Sequence, residues 1–188
     1  MTTLLAVAGS LRAGSFTRRA LEIASEGVRQ AGGELNTLDL AEPRIPLFDD
    51  SGSADPAAAR LKSLVRGCDA LLVATPVYHD SYSGVLKNAI DYLYDELADK
   101  VVALISVGGG KTGHGQALEH LRAVFREAGS WTLPRQVMIG NAKDAFDAAG
   151  RPTDPEVQSR LILLGKELVL RTRMLRPKKV PVGTGRAG

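Results

Sequence analysis

The stretch GSLRAGSFT, residues 9–17, lies between two segments that predict different secondary structures. Residues 4–8 before it are all apolar, which is typical of a strand buried on both faces. After it, apolar side chains recur at helical spacing from Phe16 to Val28. A tight polar loop between a strand and a helix gathers several backbone N–H groups at the positive end of the helix dipole. The stretch therefore predicts an anion-binding loop and the first unit of an α/β fold.

Residues 9–17 do not fit either of the two commonest phosphate-binding motifs, G-x-G-x-x-G and G-x-x-x-x-G-K-[ST]. The loop nevertheless offers three hydroxyls, from Ser10, Ser15 and Thr17, together with the guanidinium of Arg12. The alternative interpretation is that the two glycines only shape a turn while Ser15 caps the helix. Three hydroxyls and an arginine directly after a strand favour the phosphate interpretation.

The rest of the chain alternates apolar runs with amphipathic segments. Four further strands are predicted, at residues 34–40, 69–75, 100–107 and 132–139. Helices are predicted at residues 15–31, from Asp55 onward, at 84–95, after Gly113 and at 154–175, with irregular segments at 43–48 and 140–153. This alternation predicts a five-stranded parallel sheet with helices on both faces. Residues 1–176 are expected to form one domain, and the basic tail 177–188, which contains Pro and Gly, is expected to be mobile.

Composition narrows the functional classes. The 188 residues suit one domain, and a hydrophobic fraction of 44% is ordinary for a globular protein. No apolar run approaches the ~20 residues of a membrane span, and the first residues lack the charged segment of a secretion signal, so we expect a cytoplasmic protein without membrane contact. Cys68 is the only cysteine and lies on the apolar face of a predicted helix, which excludes an internal disulfide and predicts a core position.

The pI near 9.1 does not indicate a nucleic-acid partner, because the excess positive charge lies at the carboxyl end. Six of the 24 basic residues follow Glu167, where no acidic residue occurs, so the remainder of the chain holds 18 basic and 21 acidic residues. No aromatic side chains alternate with these six basic residues, as they would in a surface that binds single strands. We therefore predict no nucleic-acid partner.

Three predicted loops, residues 9–17, 75–83 and 106–113, follow strands whose carboxyl ends meet at one edge of a parallel sheet. The second contains Pro76, Val77 and Tyr78, which predict a stiff, flat surface with free backbone N–H groups from Val77 onward. The third has no side chains at residues 108–110, so a planar ring can approach its backbone. A phosphate site beside a surface for a flat ring predicts a mononucleotide site, and a flavin fits this description best.

The motifs G-S-L-R-x-G-S-F and T-P-V-Y-x-x-x-Y-S-G-V-L-K-N-A-I-D, at residues 9–16 and 75–91, resemble those of the NAD(P)H-dependent FMN reductases. This family has a flavodoxin-like fold and includes sulfonate-system flavin reductases, azoreductases and chromate or quinone reductases. The resemblance extends from the first strand to about Val137. It implies a three-layer α/β sandwich whose five parallel strands have the order 2-1-3-4-5.

The resemblance also implies a site for FMN. The residues expected around its phosphate and ribityl chain are Ser10, Arg12, Ser15, Phe16 and Thr17, with the arginine offsetting the phosphate charge. Those expected along the isoalloxazine ring are Pro76, Val77, Tyr78 and His79, with backbone N–H groups reaching N5 or O4. Those expected to close over the other edge of the ring are Ser106, Val107, Gly108 and Gly109.

The activity implied by the resemblance is transfer of hydride from NAD(P)H to FMN, whose reduced form then serves a monooxygenase partner or a quinone or azo acceptor. This chemistry belongs to the cofactor and needs no acid–base side chain, so we assign no catalytic residue. A metal site is not expected, because the chain has three histidines and no evident carboxylate partners for them.

Two other functional classes stay open. An electron-carrying flavodoxin would share the fold and the cofactor but would not oxidise NAD(P)H. A signalling domain of the receiver type would also have five strands, but it needs an acidic cluster after the first strand, where this chain has Ala8-Gly9-Ser10.

For four aromatic residues the sequence leaves two locations open. His79 and His114 are expected either at the ligand or at the surface, and Tyr78 and Tyr82 either at the ligand or at a subunit contact. The predicted helix 84–95 carries further tyrosines beside its apolar face, which makes it the candidate interface of a homodimer or homotetramer.

Overall fold

The computed structural model describes residues 1–42, 44–50, 55–110 and 114–175. The expectations stated above for Pro43, Gly113, the side chain of His114 and the tail 177–188 lie outside this part of the chain.

The described strands form one parallel sheet. They are β1 (Thr3–Ala8), β2 (Glu34–Asp39), β3 (Ala70–Pro76), β4 (Val101–Val107), β5 (Trp131–Thr132) and β6 (Val137–Ile139). Their order is β2-β1-β3-β4-β5, with β6 also paired to β4. Because every pair is parallel, the carboxyl ends of β1, β3 and β4 lie at the same edge of the sheet. The predicted sheet order is confirmed.

The predicted strand 132–139 is two short strands in the structure. β5 pairs with the beginning of β4, and β6 pairs with its end. The backbone N–H of Leu133 still donates to the carbonyl of Val102 at 2.8 Å, but Pro134 follows and has no N–H to donate. The prediction of a single fifth strand was wrong because the proline interrupts the ladder.

The described part of the chain contains six α-helices, of which the last two follow the final strand: α1 (Phe16–Gln30), α2 (Pro56–Arg66), α3 (Gly84–Asp91), α4 (His114–Glu127), α5 (Ala142–Ala145) and α6 (Pro155–Leu175). Polar side chains begin the first three of them. Ser15, Asp55 and Ser83 each accept a hydrogen bond from a backbone N–H in the first turn of the helix that follows. The helical starts predicted near Ser15 and Asp55 therefore have a direct structural cause.

Two predicted segments differ from the structure. The helix expected at 84–95 ends at Asp91 and is followed by a separate 3₁₀ turn at Asp95–Leu97. The carboxylate of Glu96 accepts the Tyr94 N–H at 3.0 Å, and such a local bond competes with helical pairing. The segment expected to be irregular at 140–153 contains the short helix α5.

The sheet is covered on both faces. α1 and α6 pack on one face, and α2, α3 and α4 pack on the other. Because side chains alternate along a strand, Leu4 and Ala6 of β1 face the first core while Leu5 and Val7 face the second. The three-layer arrangement of the sandwich is confirmed.

Cys68 belongs to the second core, as predicted. It is 4% exposed, and burial raises the pKa of its thiol to about 11. A thiol with this pKa stays protonated at neutral pH, so Cys68 acts as a small packing residue.

The crossing of α1 and α6 depends on two glycines. A Cβ atom at Gly27 would lie 2.0 Å from the carbonyl oxygen of Ile162, and a Cβ at Gly165 would lie 2.0 Å from that of Ala24. The two helix backbones therefore touch directly at this crossing. No side chain larger than hydrogen fits there without moving one helix.

We expect Gly165→Ala to lower the free energy of unfolding by about 1–3 kcal/mol, because the added methyl group would force the two helices apart. Urea denaturation followed by circular dichroism measures this change. Gly84→Ala is the matched control, since a Cβ there meets no atom within 4 Å and alanine favours a helix. Equal destabilisation by both substitutions would contradict the close crossing.

Candidate functional site

The loops after β1, β3 and β4 surround one cavity of about 140 Å³. Its lining consists of Ser10, Arg12, Ser15, Phe16, Thr17, Pro76, Val77, Tyr78, Val107, Gly108, Gly109, Ala142 and Lys143. Eleven of these thirteen residues are those that the sequence assigned to an FMN site. Its volume is below the roughly 300–1,000 Å³ of typical ligand pockets, so it accommodates part of a larger ligand.

The cavity has a cationic lining. Arg12 and Lys143 are its two charged residues, and no carboxylate is among the residues that line it. Neither cation forms an ion pair within the described residues. Two cations without a carboxylate beside them favour an anionic ligand.

The first loop leaves several donors unused. Gly14 has a φ of +65°, a conformation that glycine adopts without strain and that lets the chain turn into α1. Ser15 Oγ accepts the Thr17 N–H at 3.2 Å, so the expected capping role of Ser15 is present. The N–H groups of Ser15, Phe16 and Arg18 have no hydrogen-bond partner among the described residues. They match the unpaired donors that make a helix N-terminus suitable for an anion.

Phe16 takes part in packing as well as in the cavity. Its ring stacks on that of Phe146, with centroids 5.4 Å apart and an interplanar angle of 13°. This stack joins the beginning of α1 to the segment after β6. The Phe16 side chain therefore supports the cavity wall, while its backbone N–H is available to a ligand.

Arg18 holds the first loop from the side of α1. Its Nε lies 2.5 Å from Asp39 Oδ2, and its Nη2 lies 3.0 Å from Asp39 Oδ1. Nη2 also donates to the Ser10 carbonyl at 2.6 Å, and Nη1 donates to the Arg12 carbonyl. Burial alone would raise the pKa of Asp39, but hydrogen bonds from Arg18 and from the Ala41 N–H lower it below its ordinary value.

A buried hydroxyl network connects the first loop to the second. Ser83 Oγ donates to the Gly9 carbonyl at 2.6 Å, and the Ser83 N–H donates to Thr75 Oγ1 at 3.0 Å. The Gly9 N–H donates in turn to the Ala74 carbonyl at 2.8 Å. These bonds fix the carboxyl ends of β1 and β3 relative to each other.

The second loop corrects one expectation about its backbone. The N–H groups of Val77 and Tyr78 are not free, since they donate to the carbonyls of Val107 and Ser81 at 3.0 and 2.9 Å. The Tyr78 carbonyl accepts the Ser81 N–H, which closes a tight turn with His79 and Asp80 at its tip. Among the described residues, the N–H groups of this loop that keep no partner are those of His79 and Asp80 at the turn tip and that of Tyr82 after it.

The tip residues adopt an uncommon conformation. His79 and Asp80 have φ values of 49° and 56°, a left-handed region that costs non-glycine residues energy and often marks a functional site. His79 does not line the cavity, whereas Tyr78 lines it and is 55% exposed. An accessible tyrosine ring at this position provides a flat surface for a planar ligand.

The third loop is connected to α5. The Ala142 N–H donates to the Gly108 carbonyl at 3.0 Å, and the Asn141 N–H donates to the Gly110 carbonyl at 2.8 Å. These bonds place Lys143 at the cavity. Ser106, the other predicted residue that does not line the cavity, is fully buried in β4.

Sequence reasoning missed Arg18, Asp39 and Lys143. One signal for Arg18 was present, because a cation in the first turn of a helix opposes the helix dipole and calls for a compensating partner. Lys143 gave no such signal, since it lies in a segment that was expected to be irregular.

A larger cavity, about 760 Å³, lies on another face of the molecule. This α3–α4 groove is formed by α3, the 3₁₀ turn and α4, and its lining includes Phe48, Ile90, Leu93, Tyr94 and Val124. It lacks the cluster of unpaired donors found at the sheet edge, so its size does not make it the ligand site.

Two features are absent from the part of the chain that the structure describes. No group of three or more His, Cys, Asp or Glu side chains is arranged to hold a metal ion there. None of the helices in that part combines the length and the apolar character that crossing a membrane requires.

We expect Ser83→Ala to lower the free energy of unfolding by about 1–2 kcal/mol, because it removes the bond to Gly9 and the cap of α3 together. Thermal or urea unfolding measures the change. Ser63→Ala, a substitution in α2 away from the site, is the control. A loss no larger than that of the control would contradict a structural role for the hydroxyl network.

Comparison with known proteins agrees with this geometry. The NADPH-dependent FMN reductase family matches residues 2–144. An NAD(P)H-dependent FMN reductase of Pseudomonas aeruginosa is 36% identical over 182 residues, which cover 92% of this chain and 96% of that protein. An FMN-dependent NADPH-azoreductase of Staphylococcus aureus is 32% identical over 174 residues, which cover 88% of this chain and 92% of that protein.

Solved structures share the fold. FerB of Paracoccus denitrificans, a flavoenzyme NAD(P)H:(acceptor) oxidoreductase, has a TM-score of 0.76 at 24% identity, covering 93% of this chain and 98% of that one. A flavodoxin from the domain Archaea has a TM-score of 0.66 at 11% identity, covering 92% and 99%. These two likenesses concern the fold, whereas the match over residues 2–144 concerns the family. The chain therefore belongs to the NADPH-dependent FMN reductase family, a family of oxidoreductases that use FMN and NADPH.

Proposed function

We propose that the cavity at the sheet edge binds FMN and that the chain reduces FMN with hydride from NAD(P)H. The observation that supports this most directly is the shared lining of one cavity by three loops, with two cations and no carboxylate. The proposed contacts with the phosphate and ribityl chain are those of Ser10, Arg12, Ser15, Phe16 and Thr17. The proposed contacts with the ring are those of Pro76, Val77, Tyr78, His79, Ser106, Val107, Gly108 and Gly109.

The residues of the first loop fit a phosphate group. The unpaired N–H groups of Ser15, Phe16 and Arg18 supply neutral donors, and Arg12 supplies a charged one. The Thr17 hydroxyl has no hydrogen-bond partner among the described residues and is a further donor in this wall. In this proposal Lys143 adds the second positive charge.

FMN would supply the redox chemistry, by accepting hydride from the nicotinamide and passing electrons to an acceptor. The chain contributes the orientation of the ring and the charge around it. Tyr78 and Val77 offer the flat side of the site, and the His79 and Asp80 N–H groups are unpaired donors at the tip of that loop. The proposal assigns no side chain to acid–base catalysis.

The electron acceptor is proposed to be small and aromatic, such as a quinone or azo compound, or else a monooxygenase partner that receives reduced flavin. The first class is supported by the relative named as an azoreductase. The alternative of an electron-carrying flavodoxin is less favoured, because the archaeal flavodoxin shares only the fold, whereas the family match and the named relatives are reductases. Oxidation of NADPH separates the two functions, since an electron carrier does not perform it.

The proposed location is the cytoplasm. Cys68 is the single cysteine of the chain and is a free thiol, which suits a reducing compartment.

The central test measures flavin binding and NADPH oxidation by the purified chain. We expect NADPH absorbance to fall when the chain and FMN are both present. We expect Arg12→Ala to raise the dissociation constant for FMN tenfold or more, on the scale of one lost charge-assisted hydrogen bond of about 1.5–3 kcal/mol. Quenching of flavin fluorescence gives this constant.

Arg60→Ala is the matched control for Arg12→Ala, because Arg60 is an exposed arginine on α2 that does not line the cavity. An unchanged dissociation constant in Arg12→Ala would contradict the phosphate role of the arginine. FMN binding without NADPH oxidation would favour the flavodoxin alternative.

We also propose that the chain forms a homodimer or homotetramer through the α3–α4 groove. The groove is lined largely by apolar residues, and Tyr94 at its margin is 59% exposed. An exposed aromatic beside an apolar groove is typical of an interface between protein molecules. A second copy of the chain is the proposed occupant.

Tyr94→Asp is expected to shift the protein toward the monomer, because a buried carboxylate without a partner opposes association. Size-exclusion chromatography with light scattering measures the mass. Leu170→Asp places the same charge at an exposed leucine of α6, on the other side of the sheet, and should leave the mass unchanged. A monomeric wild-type chain would contradict the interface.

A further inference from the structure

We propose that Arg18 is a positioning residue for the phosphate of FMN: it orients two peptide groups of the first loop so that their N–H groups face the anion. Asp39 holds Arg18 in that arrangement. This inference rests on the proposed binding of FMN at the cavity.

The contacts of Arg18 leave it little capacity to bind a ligand itself. A guanidinium has five N–H donors. Arg18 uses two of them on the Asp39 carboxylate, one on the Ser10 carbonyl and one on the Arg12 carbonyl. Its side chain is only 22% exposed. Arg18 therefore acts through the loop backbone.

Because a peptide bond is planar, fixing the direction of these two carbonyls also fixes the direction of two N–H groups. In a trans peptide the carbonyl and the N–H of the next residue point in opposite directions. Because the Ser10 and Arg12 carbonyls point toward Arg18, the N–H groups of Leu11 and Ala13 point away from it. Neither of these N–H groups has a hydrogen-bond partner among the described residues.

Leu11 and Ala13 flank Arg12, which lines the cavity, and unpaired N–H groups close together in a tight loop are typical of the concavities that bind anions. The N–H groups of Ser15 and Phe16 at the start of α1 add to this set. The role of Arg18 is thus to keep the loop in the conformation in which its amides are ready for a phosphate, so that binding does not have to order them.

Asp39 has a defined part in the arrangement. It ends β2, where it lies opposite Ala8 of β1, and its Oδ1 also accepts the Ala41 N–H at 2.9 Å. The carboxylate is therefore fixed to the backbone before it meets Arg18. By pairing with both Nε and Nη2, it keeps the guanidinium flat against the loop and offsets its charge.

The test compares FMN with riboflavin, which has the same ring but no phosphate. We expect Arg18→Gln to raise the dissociation constant for FMN at least tenfold and that for riboflavin less than twofold. We expect Arg18→Lys to lose nearly as much FMN affinity, because an ammonium group keeps the charge but cannot span the two carbonyls and the carboxylate. Fluorescence quenching measures both flavins.

Arg29→Gln is the matched control, because it removes a positive charge from the same helix where Arg29 pairs with Glu26 at the surface. It should leave both constants unchanged. A second measurement needs no variant: in the wild-type chain, the amide resonances of Leu11 and Ala13 should shift on addition of FMN and remain in place on addition of riboflavin.

The outcomes separate the inference from the function on which it rests. A wild-type chain that binds neither flavin would overturn the proposed function and the role of Arg18 with it. If the wild type binds FMN, the role of Arg18 is overturned by full FMN affinity in Arg18→Gln or Arg18→Lys, or by parallel losses for both flavins. If the Arg18 variants do not fold, the wild-type resonances decide, and unshifted Leu11 and Ala13 amides would overturn it.

Discussion

The hydrogen bond from the Ser83 hydroxyl to the Gly9 carbonyl is the interaction on which the site depends. It joins residues 74 positions apart at the point where β1 and β3 end, and it is fully enclosed by the core. Because the buried carbonyl would otherwise lose its partner, the two loops are held in one relative position. The proposed contacts with the phosphate and with the ring belong to these two loops, so this bond sets the distance between the two parts of the proposed site.

The remaining supports converge on the same edge. The direct crossing of α1 and α6 at Gly27 and Gly165 fixes the direction of α1, whose first turn carries the unpaired N–H groups. The stack of Phe16 on Phe146 connects that turn to the segment that carries Lys143. The cavity is thus built from elements that are already ordered in the folded chain. Ligand binding therefore loses little conformational entropy in ordering it.

Long apolar runs and glycine-rich turns, which report the local backbone, were sufficient for the first four strands and for the loops at the carboxyl edge, and the family resemblance supplied the sheet order. The sequence was also sufficient for eleven of the residues around the cavity, through motif resemblance. It could not supply the pairing of Arg18 with Asp39, which joins residues 21 apart on different elements. It also missed the occupied N–H groups of Val77 and Tyr78, because their partners depend on the register of β3 against β4 and on the turn.

The absence of carboxylates from the cavity lining has a consequence for work with this protein in solution. A cavity with a cationic lining attracts anions of many shapes, so common buffer anions such as sulfate and inorganic phosphate are expected to compete with an anionic cofactor for it. The attraction of the exposed Arg12 and Lys143 also falls as ionic strength rises, since salt screens accessible charges over about 10 Å at 0.1 M. Affinities measured in different buffers are therefore comparable only at matched anion content.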